Sequence, residues 1–575
     1  MAKLVWLIGG EAGFGIREAG LIFAKTCAHA GFNVFGYAEY PSLIRGGHNT
    51  YQVSVDDEVF CNSKMINILV ALNRETIELH APELTQGAVI IYDSDAIPKE
   101  AEKLSKTIFY PIPLTKLVKE TGGKDIVRNT VALGASCAVI DFDFSLIQES
   151  LSEEFKSKGQ EIVDMNLRAA RAGYDYIKGR FKDGFKFKLK AKPGNHKKIV
   201  LTGNDAIGIG AIKAGCNFYA GYPMTPISSL MPFFASHAKD YGIVFRHASD
   251  EIEAINLAIG ASYAGAKAMT ASSGGGYALM VEALGMAAMA EIPVVVVEGT
   301  RTGPSTGLPT WTEQGDLRFV LHSSQGEFPR VVIAPGDVNE CYYKTIEAFN
   351  LAYKYQVPAV VLTDKQLGES HMSVEKFSAG AKNTSGIMQD SEVKNLKDYK
   401  RFAFTKSGVS PRSVPSQQNG LYLANTYEHD EFGIYSEDAL NVKKMKEKRM
   451  KKTEAMLGEI PDPVLYGDKN AELTIVAWGS TKLPALQAIK ILGENKIKAN
   501  VLQIIYMEPF KSAQIGKILN SAKKLLIAEN NQTAQLAGLI REKTGVEIKD
   551  KLLKYDGRQF FAEEIAEKVK GMMRK

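Results

Sequence analysis

The chain has 575 residues, 45% of them hydrophobic and 23% charged, with a formal net charge of +5. Such a length exceeds what one hydrophobic core organises and implies roughly three to four α/β domains of about 150 residues each. The composition excludes long disordered spans, the charge excludes a sustained basic stripe for nucleic acid, and no apolar run approaches the roughly 18 to 20 residues that cross a bilayer.

Neither nucleic acid nor membrane is therefore expected as a partner, and a cytoplasmic address is expected. The N-terminus, MAKLVWLIGG, runs straight into a glycine turn and reads as a buried first strand rather than a leader. The five cysteines, Cys27, Cys61, Cys137, Cys216 and Cys341, form no CxxC pair. That spacing argues against a disulfide framework, a zinc site or an iron–sulfur ligand set.

In chain order, residues 1–190 alternate strand-like runs (LVWLIGG, FNVFGYAEY, YQVSV, INILVAL, GAVIIYD) with a helical pattern from Ile16 to Ala30, as a doubly wound α/β domain does. The Gly-, Pro- and Lys-rich stretch Gly179–Lys198 reads as a linker. A second α/β domain, residues 195–375, starts at KIVLTGNDAIGIGAIKAG and continues through AKAMTASS, IPVVVVEG, FPRVVIAPG and VPAVVLTDK. Over residues 376–467 the apolar periodicity thins into an extended crossing segment that includes SGVSPRSVPSQQNG, followed by a helix over Ser436–Leu457. The dense run Lys443–Lys452, KKMKEKRMKK, places Met445, Arg449 and Met450 at helical spacing and reads as a solvated helix face. Residues 468–575 return to strand, turn and helix in a smaller α/β domain.

Three segments carry chemistry. In DEIEAINLAIGAS, Ile252, Ile255, Ala258, Ile259 and Ser262 recur at helical steps, and Ser249 or Asp250 can cap the helix. At about 100° per residue Glu251 lies within about 40° of Ile255 and Ala258, on the apolar stripe, whereas Glu253 points about 160° away. A buried carboxylate is costly unless it is bonded, although the first helical turn favours its ionised form. Glu251 is thus a helix-capping group or a functional one. Upstream, GYPMTPIS (Gly221–Ser228) has two prolines that frame Met224 and Thr225, and TASSGGG (Thr270–Gly276) follows. In the first domain GGEAGFG, Gly9–Gly15, is a glycine turn between strand and helix that can aim N–H groups at a phosphate. It lacks strict GxGxxG order, so it is a coenzyme A contact or a plain tight turn rather than a nicotinamide site.

Together with YPSLIRGGHNTYQVSV, EGTRTGPSTGLPTWTEQGDL and AENNQTAQLAGLIREKTG, these segments resemble nearly the whole length of the α subunits of 2-oxoacid:ferredoxin oxidoreductases in which a γ domain is fused ahead of the α part. The resemblance implies a Rossmann-like γ domain, a thiamine-diphosphate pyrimidine-binding domain and a transketolase C-terminal-like domain. It implies that Glu251 activates the cofactor through its aminopyrimidine nitrogen, that Thr225 and Arg301 hold the 2-oxoacid, and that Tyr222, Pro223, Ser273 and Gly274 line the cofactor. Arg can grip a carboxylate bidentately while a hydroxyl donates to the carbonyl. Coenzyme A contacts fall on Gly10, Gly13, Gly15, Arg45, Gly46 and Gly47, with His48 beside them.

Members of the family commonly carry Arg where this chain has Trp311, so a second cation for a distal carboxylate is missing there. The family's GDG motif, followed about 25 to 30 residues later by NN, is absent; Asn530 and Asn531 lie too far beyond Asp468. No metal is expected in this chain. A β subunit is expected to bring the diphosphate site, Mg2+ and an iron–sulfur cluster, in an (αβ)2 assembly that passes electrons to ferredoxin. The fused layout points first to 2-oxoglutarate, with pyruvate, branched-chain and aryl 2-oxoacids open. The competing expectations are a nucleotide- or coenzyme-A-binding ligase or dehydrogenase and a noncatalytic scaffold.

Overall fold

A computed structural model describes residues 3–41, 46–99, 104, 107–181, 187–192, 194, 198–378 and 383–574. The chain divides into two compact units, the first made of Met1–Thr202 with Glu369–Phe377 and Phe561–Ala566.

The first unit is built on an eight-stranded sheet. Its order is Ile108–Ile112, Leu84–Asp93, Ile66–Ala71, Leu4–Glu11, His48–Asp56, Asn33–Glu39, His371–Val374 and Ile199–Thr202. The first four strands run parallel and the rest pair antiparallel. Leu4–Gly10 is buried throughout, as expected of a strand covered on both faces. The following helix, Ile16–His29, packs back on the sheet, where Phe23 stacks on Trp6 at 4.4 Å between ring centroids. The far side of the sheet is completed by a strand from much later in the chain, whose Ser373 Oγ accepts from the Val34 amide at 2.9 Å.

The second unit comprises Gly203–Gly368, Ser378–Phe560 and Glu567–Lys575. Its seven-stranded sheet runs Tyr506–Glu508, Val331–Ile333, Pro358–Asp364, Val294–Thr300, Ala268–Ser272, Phe218–Gly221, Val244–His247. All pairs are parallel except the edge pair formed by Tyr506–Glu508. A five-stranded sheet, Val464–Gly467, Ala499–Ile504, Leu473–Trp478, Leu525–Glu529 and Lys551–Leu553, shares its apolar core through Trp478, Leu502 and Ile504. The segments after Gly221, Ser272 and Thr300 all leave the carboxyl ends of neighbouring parallel strands, where open α/β sheets form their ligand crevices. Among the described residues no helix is long and apolar enough to cross a membrane.

The basic run Lys443–Lys452 forms a solvated face only in part, and Met445 and Arg449 lie on its buried side. It lies in the helix Ala439–Leu457, where Lys448, Arg449 and Lys452 are buried. Lys448 and Lys452, one helical turn apart, both pair with the buried carboxylate of Glu291, Lys452 Nζ at 2.6 Å, and the two ammonium groups hold Glu291 well below the usual carboxylate range despite its burial. Arg449 grips Glu428 with two bonds of 2.9 and 2.6 Å. The expectation failed because its partners are distant in sequence, where helical periodicity carries no information about them. The opposite face behaves as expected: Met450 and Lys443 are exposed.

Candidate functional site

Asp250 caps the helix Glu251–Tyr263, its Oδ1 accepting from the Glu253 amide at 2.8 Å. Helical phase then turns Glu251 inward, where it is 3% exposed, and leaves Glu253 in solvent, bonded back to Ser249. Ile252 is half exposed, because the first turn stands clear of the sheet that buries Ile255 and Ile259. The Glu251 carboxylate accepts from Ser272 Oγ at 3.2 Å. It also abuts the first turn of a second helix, Gly274–Met289, at Gly276, where a β-carbon would lie 2.2 Å from Glu251 Oε1 and 2.1 Å from Ser272 Oγ. Only glycine leaves room there. The carboxylate thus stands where two helix N-termini meet.

Ser272 Oγ also lies 3.8 Å from the Met224 sulfur, which ties Glu251 to the GYPMTPIS turn. That turn is held from beneath by Asn204, whose Nδ2 donates to the Pro226 carbonyl and to Ser229 Oγ, both at 2.9 Å. The Thr225 carbonyl accepts from Arg301 Nη1 at 2.8 Å, so the two expected substrate-holding residues are brought together. Burial lowers the Arg301 pKa from its usual value, and the Asp316 carboxylate opposes that shift. Tyr222 and Pro223 are exposed beside the turn. Ser273 is fully buried with an Oγ that has no partner among the described residues. Gly274 packs against Asp316, whose Oδ2 would lie 2.7 Å from a β-carbon there.

Further groups at the site escaped the sequence reading, although Glu298 and Asp316 lie within the EGTRTGPSTGLPTWTEQGDL motif. Glu298 is fully buried, register-paired with Ser272, and accepts from Thr300 Oγ1 at 2.9 Å. Burial first, and then its Asp316 neighbour, push its pKa well above the usual carboxylate range, and burial raises the Asp316 carboxyl as well. Gln314 fastens the loop that follows Arg301. Its side chain donates to the Trp478 carbonyl at 2.9 Å and accepts from Thr481 Oγ1 and the Asn530 amide, while Asn531 donates to its carbonyl. Asn530 and Asn531 therefore anchor this loop.

In the first unit the glycine turn after Leu4–Glu11 and the segment before His48–Asp56 meet, the Ala12 amide donating to the Gly47 carbonyl at 3.1 Å. Gly13 (φ 94°), Gly15 (φ 68°), Gly46 (φ 76°) and Gly47 (φ 114°) all take the left-handed conformation, and the space beside Gly13 and Gly46 is open. Gly10 is packed instead between Phe14 and Leu72. His48 Nε2 lies 3.2 Å from His80 Nε2. Arg45 lies outside the described residues.

Residues 5–176 match the family described as "Pyruvate ferredoxin/flavodoxin oxidoreductase", residues 209–451 "Pyruvate flavodoxin/ferredoxin oxidoreductase, thiamine diP-bdg", and residues 464–547 "Transketolase, C-terminal domain". The 2-oxoacid:ferredoxin oxidoreductase subunit alpha of Sulfolobus sp is 33% identical over 630 residues, covering 98% of this chain and 96% of that protein. The chain belongs to the 2-oxoacid:ferredoxin oxidoreductase α-subunit family.

As a member of this family it is an oxidoreductase subunit, and the thiamine-diphosphate-binding domain contains Thr225, Glu251 and Arg301. The 2-oxoglutarate oxidoreductase subunit KorA of Mycobacterium tuberculosis is 27% identical, covering 100% of this chain and 92% of that protein. The solved 2-oxoglutarate:ferredoxin oxidoreductase of Magnetococcus marinus, with 2-oxoglutarate, coenzyme A and succinyl-CoA bound, superposes with a TM-score of 0.90 at 32% identity over 99% of both chains. The fold expected for this family, a γ-type domain, a thiamine-binding domain and a transketolase-type C-terminal domain, is the one observed.

Proposed function

We propose that this α subunit, docked with a β subunit, oxidatively decarboxylates a 2-oxoacid, with 2-oxoglutarate the foremost substrate, to an acyl-coenzyme A and passes the electrons to ferredoxin. The observation that carries this reading is Ser272, which touches both Glu251 and the Met224–Thr225 turn, the turn whose carbonyl holds Arg301. The residues fit the pyrimidine half of thiamine diphosphate: a buried carboxylate in a cradle kept open by Gly276, and beside it a buried Ser273 hydroxyl without a partner. When bound, thiamine diphosphate supplies the nucleophilic carbon and the electron sink that decarboxylation needs.

Glu251 would accept a hydrogen bond from a ring nitrogen of the bound cofactor and so hold a proton on that side of it. Arg301 spends one N–H on the Thr225 carbonyl, which fixes the plane of its fork for the 2-oxoacid carboxylate. The Thr225 hydroxyl donates to the keto oxygen, where negative charge develops. Tyr222, Pro223, Ser273 and Gly274 complete the cofactor wall. In the first unit Gly10, Gly13, Gly15, Gly46 and Gly47 make the coenzyme A contact, supported by the open left-handed turns at Gly13 and Gly46.

The half-exposed Tyr222, Ile252 and Leu279 flank the site and offer apolar surface to the β subunit, which brings the diphosphate, Mg2+ and iron–sulfur sites and pairs as (αβ)2. Co-purified with β and assayed by dye reduction across a panel of 2-oxoacids, the complex is expected to oxidise 2-oxoglutarate in a coenzyme-A-dependent reaction. Glu251→Gln should abolish nearly all of that activity with assembly intact. A scaffold subunit would keep it, and an intact, cofactor-loaded complex that oxidised no 2-oxoacid would refute the proposal.

A further inference from the structure

Trp311, which stands where a second cation was expected, is covered by one. The Arg558 guanidinium carbon lies 3.3 Å from the centroid of the Trp311 ring, a stacked cation–π contact. Arg558 comes from the loop after Lys551–Leu553, some 250 residues further along the chain, and its backbone is pinned from both sides. Its amide donates to Asp556 Oδ1 at 2.9 Å, and its carbonyl accepts from Asn530 Nδ2 at 3.0 Å. Gly557 packs beside the same surface, where a β-carbon would lie 3.2 Å from Leu308 Cδ1, 3.3 Å from Trp311 Cβ and 3.4 Å from Thr302 Oγ1.

Trp311 in turn belongs to the substrate loop. Its carbonyl accepts from the Thr302 amide at 3.1 Å, and Thr302 directly follows Arg301. Arg558 therefore sits over a residue one cross-strand step, about 5 Å between backbones, from the neighbour of Arg301. No hydrogen bond or ion pair engages its guanidinium among the described residues, since the nearby Asp556 carboxylate faces Lys554 and Glu313 accepts from the Gly303 amide. An arginine held flat on an indole keeps its planar fork oriented while its N–H edge stays free to donate.

We infer that Arg558, aimed by Trp311, is a specificity-determining residue that binds the second, distal carboxylate of a dicarboxylic 2-oxoacid whose first carboxylate is held by Arg301. The inference rests on the substrate role proposed for Arg301. Arg301 and the residue that carries Arg558 belong to one loop, joined through the Thr302–Trp311 backbone pair, and two cations on one loop suit a ligand with two carboxylates. A monocarboxylic 2-oxoacid would leave the Arg558 fork without an acceptor.

The test uses the αβ complex, with kcat and KM measured for 2-oxoglutarate and for 2-oxobutyrate, and with 2-oxoglutarate affinity measured by calorimetry without coenzyme A or oxidant. The wild-type complex should prefer 2-oxoglutarate. In Arg558→Ala the ratio of kcat/KM for 2-oxoglutarate over 2-oxobutyrate should fall about tenfold or more, mainly through KM, with a matching loss of affinity. Arg558→Lys, which keeps the charge, should retain an intermediate ratio, and Trp311→Ala should lower the ratio by letting the guanidinium swing. A wild-type preference for monocarboxylates, a ratio unchanged within twofold in Arg558→Ala, or an equal loss on both substrates would overturn the inference while leaving 2-oxoacid oxidation standing. A wild-type complex inactive on both substrates and across the wider panel would instead bring down the proposed function.

Discussion

Glu298 shows how much a single buried proton governs at the residue scale. Its carboxyl is completely buried, hydrogen-bonded to Thr300, and set beside the like charges of Asp316 and Asp364, while Arg301 acts on Asp316. Its pKa in the folded chain lies above its usual 4.5. The stabilising contribution is therefore complete below that usual value and is lost as pH rises from it toward the folded value, by at most about 1.4 kcal/mol per pH unit. Glu298→Gln keeps a donor and an acceptor but cannot ionise. The melting temperature of Glu298→Gln relative to wild type should accordingly rise steadily from pH 5 to pH 8; a difference constant across that range would contradict the raised pKa of Glu298.

At the scale of elements, the site is a meeting of two helix N-termini over the ends of parallel strands. The helix Glu251–Tyr263 aims its carboxylate, and Gly274–Met289 makes space for it at Gly276. Gly276→Ala separates the two roles. Alanine in place of glycine favours a helix by roughly 0.5 to 1 kcal/mol, but here its β-carbon would displace Glu251 Oε1. Activity should fall at least about tenfold while the melting temperature of the complex changes by no more than a few degrees. Removing the cap by Asp250→Ala should instead cost about 1 kcal/mol and loosen the same carboxylate, seen as lower stability together with lower activity. If Gly276→Ala were fully active, Glu251 would not need its present position.

At the scale of the whole molecule, the long segment after Ser378 is fastened by buried charge. Lys448 and Lys452 converge on Glu291, and Arg401 donates to the Glu291 carbonyl at 2.7 Å. Removing one partner of a buried ion pair leaves an uncompensated charge and costs about 3 to 5 kcal/mol. Glu291→Gln should lower the melting temperature and open residues 383–457 to limited proteolysis. Restoring neutrality in Glu291→Gln/Lys448→Met/Lys452→Met should recover much of the loss. Equal protease resistance in Glu291→Gln and wild type would show that other contacts hold the segment.

What the sequence determined by itself was local. A cap at Ser249 or Asp250 follows from residue type, Glu251 rather than Glu253 as the inward carboxylate follows from the pitch of one helix, and strand and helix alternation follows from apolar periodicity. The TASSGGG motif contains the serine and glycine that enclose that carboxylate, yet their contact with it is visible only once two helices converge. Lys448, 157 residues from Glu291, was read as solvated because no periodicity links such partners. His371–Val374 joins a sheet begun at Leu4, and Arg558, 247 residues further along the chain, settles on Trp311. Those pairings depend on which surfaces packing brings into contact, and only the tertiary structure decided them.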